Sequence, residues 1–267
     1  MQEQLVTSYR EQFNSSDMSF IAIQLPGYGP PDADGTSPER GGNPDIAFYM
    51  RLAQANGAMG IPNGAVVATY DDSCAANQTN GCPHGNVHNV HKQPVGIRCA
   101  AQALNMRGLL PPGTVTQGPV ATGFDVVVST SPASTRTPRT TNAATTTYSV
   151  KVAMTGGTGP LYFNGTRNCT IPFILVKTGL PATLPCCQKS TSDFDVSADN
   201  MTWYDGYEAQ DTSTTVQRRG ELSVTFKVDA PVKPTMVRYT ANKVFPQCAV
   251  YAQEGLPALP FQLVAHA

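Results

Sequence analysis

Three of the four histidines, His84, His88 and His91, fall within one stretch of eight residues. An imidazole gains and loses its proton near neutral pH, so a histidine on a loop of a rigid scaffold suits general acid–base work. Cys74 and Cys82 lie just upstream. So many soft or borderline donors close together raise zinc as one chemistry, but zinc sites usually space their cysteines about two to four residues apart. The wider Cys74–Cys82 step suits a loop disulfide that would stiffen the segment, and neither a metal nor a cofactor is expected. Asp71 and Asp72 stand at the head of the same segment. There they either orient an imidazole or simply end a strand as turn residues.

Such a segment has to be carried between a strand and a helix. Ala65 to Tyr70 is a strand-like apolar run, and Val95, Cys99, Ala100, Ala103, Leu104 and Met106 give an apolar helical pattern over about 92–106. Upstream, residues 2–14 read as a short helix with Leu5, Val6, Tyr9 and Phe13 on one face. Phe20 to Leu25 is a continuous apolar run, as in a buried strand of a parallel sheet. The Gly/Pro loop from Pro26 to Pro44 lies over the carboxyl end of that strand, where open α/β sheets bind ligands. The helix that follows, to about Asn56, is expected to bury Ile46, Phe48, Met50 and Ala53. Residues 1–108 therefore predict an α-β-α-β-α run, part of a flavodoxin-like three-layer α/β domain. Half a sheet would leave an apolar edge open, which argues for further strands supplied from upstream.

Beyond the linker Leu109–Gly113 the helical period disappears. Short strands are expected at 124–129, 146–154, 161–163, 173–176, 201–204, 221–228 and 235–239, which makes 109–267 an antiparallel β-sandwich domain. Residues 129–147 are rich in Ser and Thr and read as a mobile loop, and 248–263 reads as an extended C-terminal strap returning across the domains. Trp203, Tyr204 and Tyr207, beside Asp205 and Glu208, offer either a sugar-stacking cluster or ordinary sandwich packing.

The pattern His-x-x-x-Lys-Gln-x-Val-Gly-x-Arg, made here by His88, Lys92, Gln93, Val95, Gly96 and Arg98, resembles the catalytic-histidine segment of the sialate O-acetylesterases, which are carbohydrate esterases of the SGNH-hydrolase type. The likeness extends to Ser19-Phe-Ile-Ala-Ile-Gln-Leu-Pro26 and Met50-Arg-Leu-Ala-Gln-Ala55, and to Val237-Arg-Tyr239, Cys248 and Glu254–Phe261 near the end. It covers 5–108 and 220–263, with the middle only loosely comparable. The resemblance implies that His88 is the general base and acid of a serine-esterase mechanism. Many relatives carry an Asp two residues before that histidine, where this chain has Asn86. An amide orients an imidazole but does not stabilise imidazolium by charge, so Asn86, Asp71 and Asp72 all stay open as the orienting group. No Gly-x-Ser-x-Gly elbow and no Gly-Asp-Ser block is present. The nucleophilic serine is therefore expected in an earlier block of the family, outside this chain. Ser73 lacks the elbow context.

A net charge of −1 with 14% charged residues argues against nucleic acid as a partner and against a polybasic membrane surface. No apolar run approaches the roughly 20 residues of a membrane span. Seven cysteines and the sequons at Asn14, Asn77, Asn164, Asn168 and Asn200 favour a secreted or lysosomal glycoprotein. Cys186, Cys187 and Cys248 are further disulfide candidates, Cys248 with either of the other two, and Cys99 on the helix is a candidate buried thiol. The start Met1-Gln-Glu-Gln-Leu-Val lacks the pattern of a signal peptide. The expectation is thus the C-terminal part of a longer protein or an incomplete gene product, partnered by an N-terminal half of the same enzyme.

Together these features predict a sialate O-acetylesterase-like hydrolase that removes O-acetyl groups from sialic acid or related sugars and is inactive as this piece. The alternative is a non-catalytic carbohydrate-binding or structural β-sandwich protein derived from an esterase.

Overall fold

The computed structural model describes residues 2–26, 44–71, 92–129, 146–163, 170–174, 181–185, 192–211, 222–241 and 249–265. Strand β1 (Phe20–Ile23) and strand β2 (Gly64–Val67) pair in parallel, with Phe20 opposite Gly64 and Ile23 opposite Val67. Parallel neighbours need a crossover, and helix α2 (Pro44–Met59) supplies it. Helix α1 (Gln2–Gln12) precedes β1, and helix α3 (Gln93–Met106) follows β2. Pro94 lies in the first turn of α3, where its missing N–H costs nothing, and Gly108 beyond its end takes a φ of +65°.

The helices bury only part of the faces their apolar residues suggest: Val6, Phe48, Val95, Cys99 and Met106 turn inward as expected, and several others do not. In α1 only Val6 is buried, while Leu5, Tyr9 and Phe13 are exposed. A polar side chain fastens this helix: Arg10 donates to the carbonyls of Met18 and Pro62 at 2.8 and 2.5 Å. In α2 the buried stripe is Ala47, Phe48, Arg51, Ala55 and Ala58, and Met50 and Ala53 face outward. Small alanines let the helix sit close on a two-stranded sheet that offers little width. In α3 the inward stripe is Val95, Arg98, Cys99, Gln102 and Met106, while Ile97, Ala100, Ala103 and Leu104 point out. Gln102 is buried because Thr116 meets it: its amide donates to the Thr116 carbonyl at 2.9 Å.

The remainder is β-rich and antiparallel. One four-stranded sheet has the order β10 (Tyr207–Asp211), β11 (Leu222–Ala230), β4 (Thr146–Thr155), β3 (Val120–Val128). The other has the order β14 (Phe261–Val264), β12 (Met236–Tyr239), β8 (Phe194–Ser197), β9 (Tyr204–Asp205). Strand alternation sends Tyr148, Val150, Val152 and Met154 of β4 inward, together with Val224, Phe226 and Val228 of β11. The two sheets meet where Phe194 stacks on Phe226, ring centroids 4.8 Å apart. Among the described residues there are also two short pairs: β5 (Tyr162–Phe163) with β13 (Val250–Tyr251), and β6 (Thr170–Ile174) with β7 (Pro181–Pro185).

The expected strap thus contains two strands, and β14 adds an edge to the second sheet with Tyr239 opposite Phe261. The expected strand at 201–204 begins only at Tyr204, since Met201 stands in solvent. Residues 130–145, expected as a loop, lie outside the described residues. One continuous buried cluster joins Ala22, Ala58, Val66 and Tyr70 of the α/β part to Val150, Phe194, Phe226 and Tyr239 of the β part. Among the described residues no helix is long and apolar enough to cross a membrane.

Candidate active site at the carboxyl ends of the parallel strands

Both parallel strands end against a network of polar side chains. Beyond β1, the Gln24 N–H continues the ladder to the Val67 carbonyl at 3.0 Å, and its side-chain amide donates to the Arg51 carbonyl at 3.0 Å. Gln54 reaches over from α2, accepting from the Leu25 N–H at 2.8 Å and donating to the Ile23 carbonyl. Thr69 returns a hydroxyl bond to the Gln24 carbonyl at 2.5 Å. The chain at Gln24–Leu25 is therefore held from two sides. Residues 27–43 themselves lie outside the described residues.

Arg51 is the central cation of this network. Its guanidinium donates to the Thr240 carbonyl at 2.9 Å and to the Pro26 carbonyl at 3.3 Å. It is 2% exposed, and burial pulls its pKa down to about 10. Thr240 holds a φ of +65°, costly for a β-branched residue, and Arg51 and the Asp193 carbonyl grip its backbone on either side.

Next to Arg51, Tyr70 and Tyr239 meet hydroxyl to hydroxyl at 2.9 Å with their rings edge to face. The Val250 N–H donates to the Tyr239 hydroxyl at 2.7 Å. Burial pushes both phenols well above their ordinary pKa. Both phenols stay neutral near neutral pH, so the pair serves as an uncharged pin between the α/β strand and the β-rich part.

Asp71 follows directly. Arg98 donates two bonds to it in a fork, Nη1 to Oδ1 at 2.8 Å and Nη2 to Oδ2 at 2.7 Å. The Tyr251 hydroxyl donates to Oδ2 at 2.8 Å, and Arg98 Nη1 also bonds the Ala68 carbonyl. Burial works to lower the Arg98 pKa, and the Asp71 carboxylate more than offsets it, leaving the guanidinium raised. The side chains are only 13% and 7% exposed, so this is an ion pair with an ordered geometry. Asp71 ends the described chain on one side of 72–91, and Lys92 resumes it at the start of α3. The fork joins the end of β2 to α3.

His88, Asn86 and Asp72 lie outside the described residues, as do His84, His91 and Ser73. So do Cys74, Cys82, Cys186, Cys187 and Cys248 and the sequons at Asn77, Asn164 and Asn168. Of the candidate orienting groups the structure describes Asp71 alone, and it shows the carboxylate engaged by Arg98 and Tyr251. Asn14 and Asn200 sit exposed in turns with positive φ. Cys99 is a half-buried free thiol whose pKa burial raises.

The aromatic cluster separates into packing roles. Trp203 lies under the Arg238 guanidinium at 3.9 Å, Tyr207 is buried with its hydroxyl on Asp229 at 3.0 Å, and Glu208 pairs with Lys227. Sequence spacing gave no role to Arg51, Arg98 or Tyr251. Arg98 stands in the quoted histidine motif, but its partners are 27 and 30 residues away, and Tyr251 meets Asp71 across 180.

In fold the chain is similar to the crystal structure of a carbohydrate acetylesterase from Xanthomonas citri, with a TM-score of 0.56 and 16% sequence identity. The match covers 97% of this chain and 43% of that one, so this chain spans less than half the length of its neighbour. No family model and no curated protein matches the chain.

Proposed function

We propose that the chain is the histidine-bearing part of a carbohydrate O-acetyl esterase, with O-acetylated sialic acid or a related sugar as substrate. The observation that carries this is the likeness in fold, over 97% of the chain, to a carbohydrate acetylesterase. The Arg98–Asp71 fork supports it, because it ties the end of β2 to α3, the two elements that flank the His88 segment in sequence.

In the proposed reaction a serine hydroxyl from a segment outside this sequence attacks the acetyl carbonyl. His88 takes the serine proton, and the oxyanion collapses to an acetyl ester of the serine. The proton then passes from His88 to the departing sugar oxygen. Water, activated by the same imidazole, releases acetate and restores the serine. Arg98 and Asp71 act as positioning residues. The glycosylating, oxidising compartment drawn from the sequons and cysteines belongs to the same proposal.

The test is hydrolysis of an O-acetylated sugar by a form in which the upstream segment is joined to this chain. Replacing His88→Ala is expected to lower kcat/KM by about 100-fold to 10,000-fold, while the 267-residue chain alone turns over negligibly. Full rate in the His88→Ala form removes the role given to that residue. Sugar binding with no hydrolysis in the joined form favours a carbohydrate-binding protein instead.

A further inference from the structure

Beside the Asp71–Arg98 fork lies an aromatic surface that the proposed chemistry does not use. Tyr162 of β5 stands directly opposite Tyr251 of β13, and Phe163 opposite Val250. Alternation along the two strands turns Phe163 and Val250 into the core and leaves the tyrosines on the other face. Their rings stack at 5.3 Å and 14° between planes. Tyr251 is the inner ring, 6% exposed, with its hydroxyl committed to Asp71. Tyr162 is the outer ring and is 43% exposed. Since Tyr251 covers one face of Tyr162, its solvent exposure falls on the opposite face and the ring edge.

This surface is flat and stands beside the strand end. Burial and the Asp71 carboxylate raise the Tyr162 phenol while Arg98 lowers it, so the outer ring stands within the field of the fork. Asp71 is one residue from the segment carrying His88. An aromatic face carries the negative lobe of its quadrupole, which attracts the polarised C–H bonds of a pyranose face. A tyrosine already held in a stack loses little side-chain freedom when a second flat partner arrives.

We infer that the exposed face of Tyr162 is a stacking subsite for the sugar ring of the substrate. The sugar as ligand class rests on the proposed function, but the subsite does not depend on turnover. An apolar peptide side chain is the other occupant such a face accommodates, and it is an outcome of the test below.

Label the 267-residue chain with 3-fluorotyrosine and titrate it with methyl glycosides of N-acetylneuraminic acid, of its 9-O-acetyl ester, of glucose and of xylose. The Tyr162 fluorine signal, assigned by its loss in Tyr162→Phe, is expected to shift with at least one of these sugars. Tyr162→Leu is expected to weaken that sugar by about twofold to tenfold, and Tyr162→Phe to keep it within about twofold. No shift at Tyr162 with any sugar overturns the inference, as does equal affinity of the Leu variant, or a response only to an apolar peptide. The fluorine readout stands even where the Leu variant fails to fold. Sugar binding at Tyr162 without hydrolysis in the joined form keeps the subsite and removes the esterase. Hydrolysis with a silent Tyr162 does the reverse.

Discussion

Arg98 depends closely on its partner near the proposed site. Its fork onto Asp71 places two charges largely out of water, and neither is comfortable alone. Asp71→Ala is expected to destabilise the fold by about 3 kcal/mol, and Arg98→Ala by a similar amount, because each strands the other charge. Arg98→Lys keeps the charge but not the planar fork, so it recovers only part of the loss. Urea unfolding checks this, and variants within about 0.5 kcal/mol of the parent would show the pair to be idle. Individual residues were only partly legible in the chain. The quoted motif contains Arg98 and the strand end contains Asp71, yet nothing in local spacing joins them, since side-chain periodicity reports which face a residue takes and not what stands opposite. Tyr162 left no signal, because its value arises from a ring 89 positions further along the chain.

At the scale of elements, a single glycine decides how the chain passes between the sheets. Gly206 separates β9 from β10, and a Cβ there would lie 2.5 Å from the Phe226 ring and 2.8 Å from the Ser192 hydroxyl. Both neighbours are buried, so little can give way. Gly206→Ala is expected to cost about 1–3 kcal/mol, seen as a lower midpoint in thermal unfolding, and an unchanged midpoint would mean that the corner relaxes freely. Strands β4, β11 and β12 were readable because alternation or a continuous apolar run marks them directly. Strand β8 was missed: Phe-Asp-Val-Ser carries Asp195 and Ser197 on positions that are buried nonetheless. The faces of α1, α2 and α3 were legible in part, with Val6, Phe48, Val95, Cys99 and Met106 turned inward as expected, and the rest was missed for a related reason. Arg10, Arg51, Arg98 and Gln102 anchor these helices by bonds to backbone and carboxylate, and a pattern that equates polar with solvent places them outside.

Across the whole molecule, tyrosine holds the parts together and sets an alkaline limit. Tyr70 and Tyr239 are fully buried, and Tyr207 is pushed up to about 12 by burial and then by its hydrogen bond to the Asp229 carboxylate. An unfolded phenol ionises near pH 10. The folded pKa values are raised, so the stability these groups give is complete below about pH 10 and fades as the pH climbs, for Tyr207 between about 10 and 12. Phenolate absorbance should show Tyr70 and Tyr239 ionising only as the far-ultraviolet dichroism is lost. Ionisation of all ten tyrosines near pH 10 in a chain that keeps its dichroism would contradict this. The passage from a helical to a strand-type period was legible along the chain, whereas the common core that unites both kinds of element was not, because it depends on distant segments meeting. The same meeting has a consequence during synthesis. Asp71 waits for Tyr251, Arg51 for Thr240 across 189 positions, and Tyr239 for Phe261 on its edge strand. The ribosome must therefore translate through Phe261 before all of these contacts can close, and until then a nascent chain offers chaperones an open, half-assembled surface.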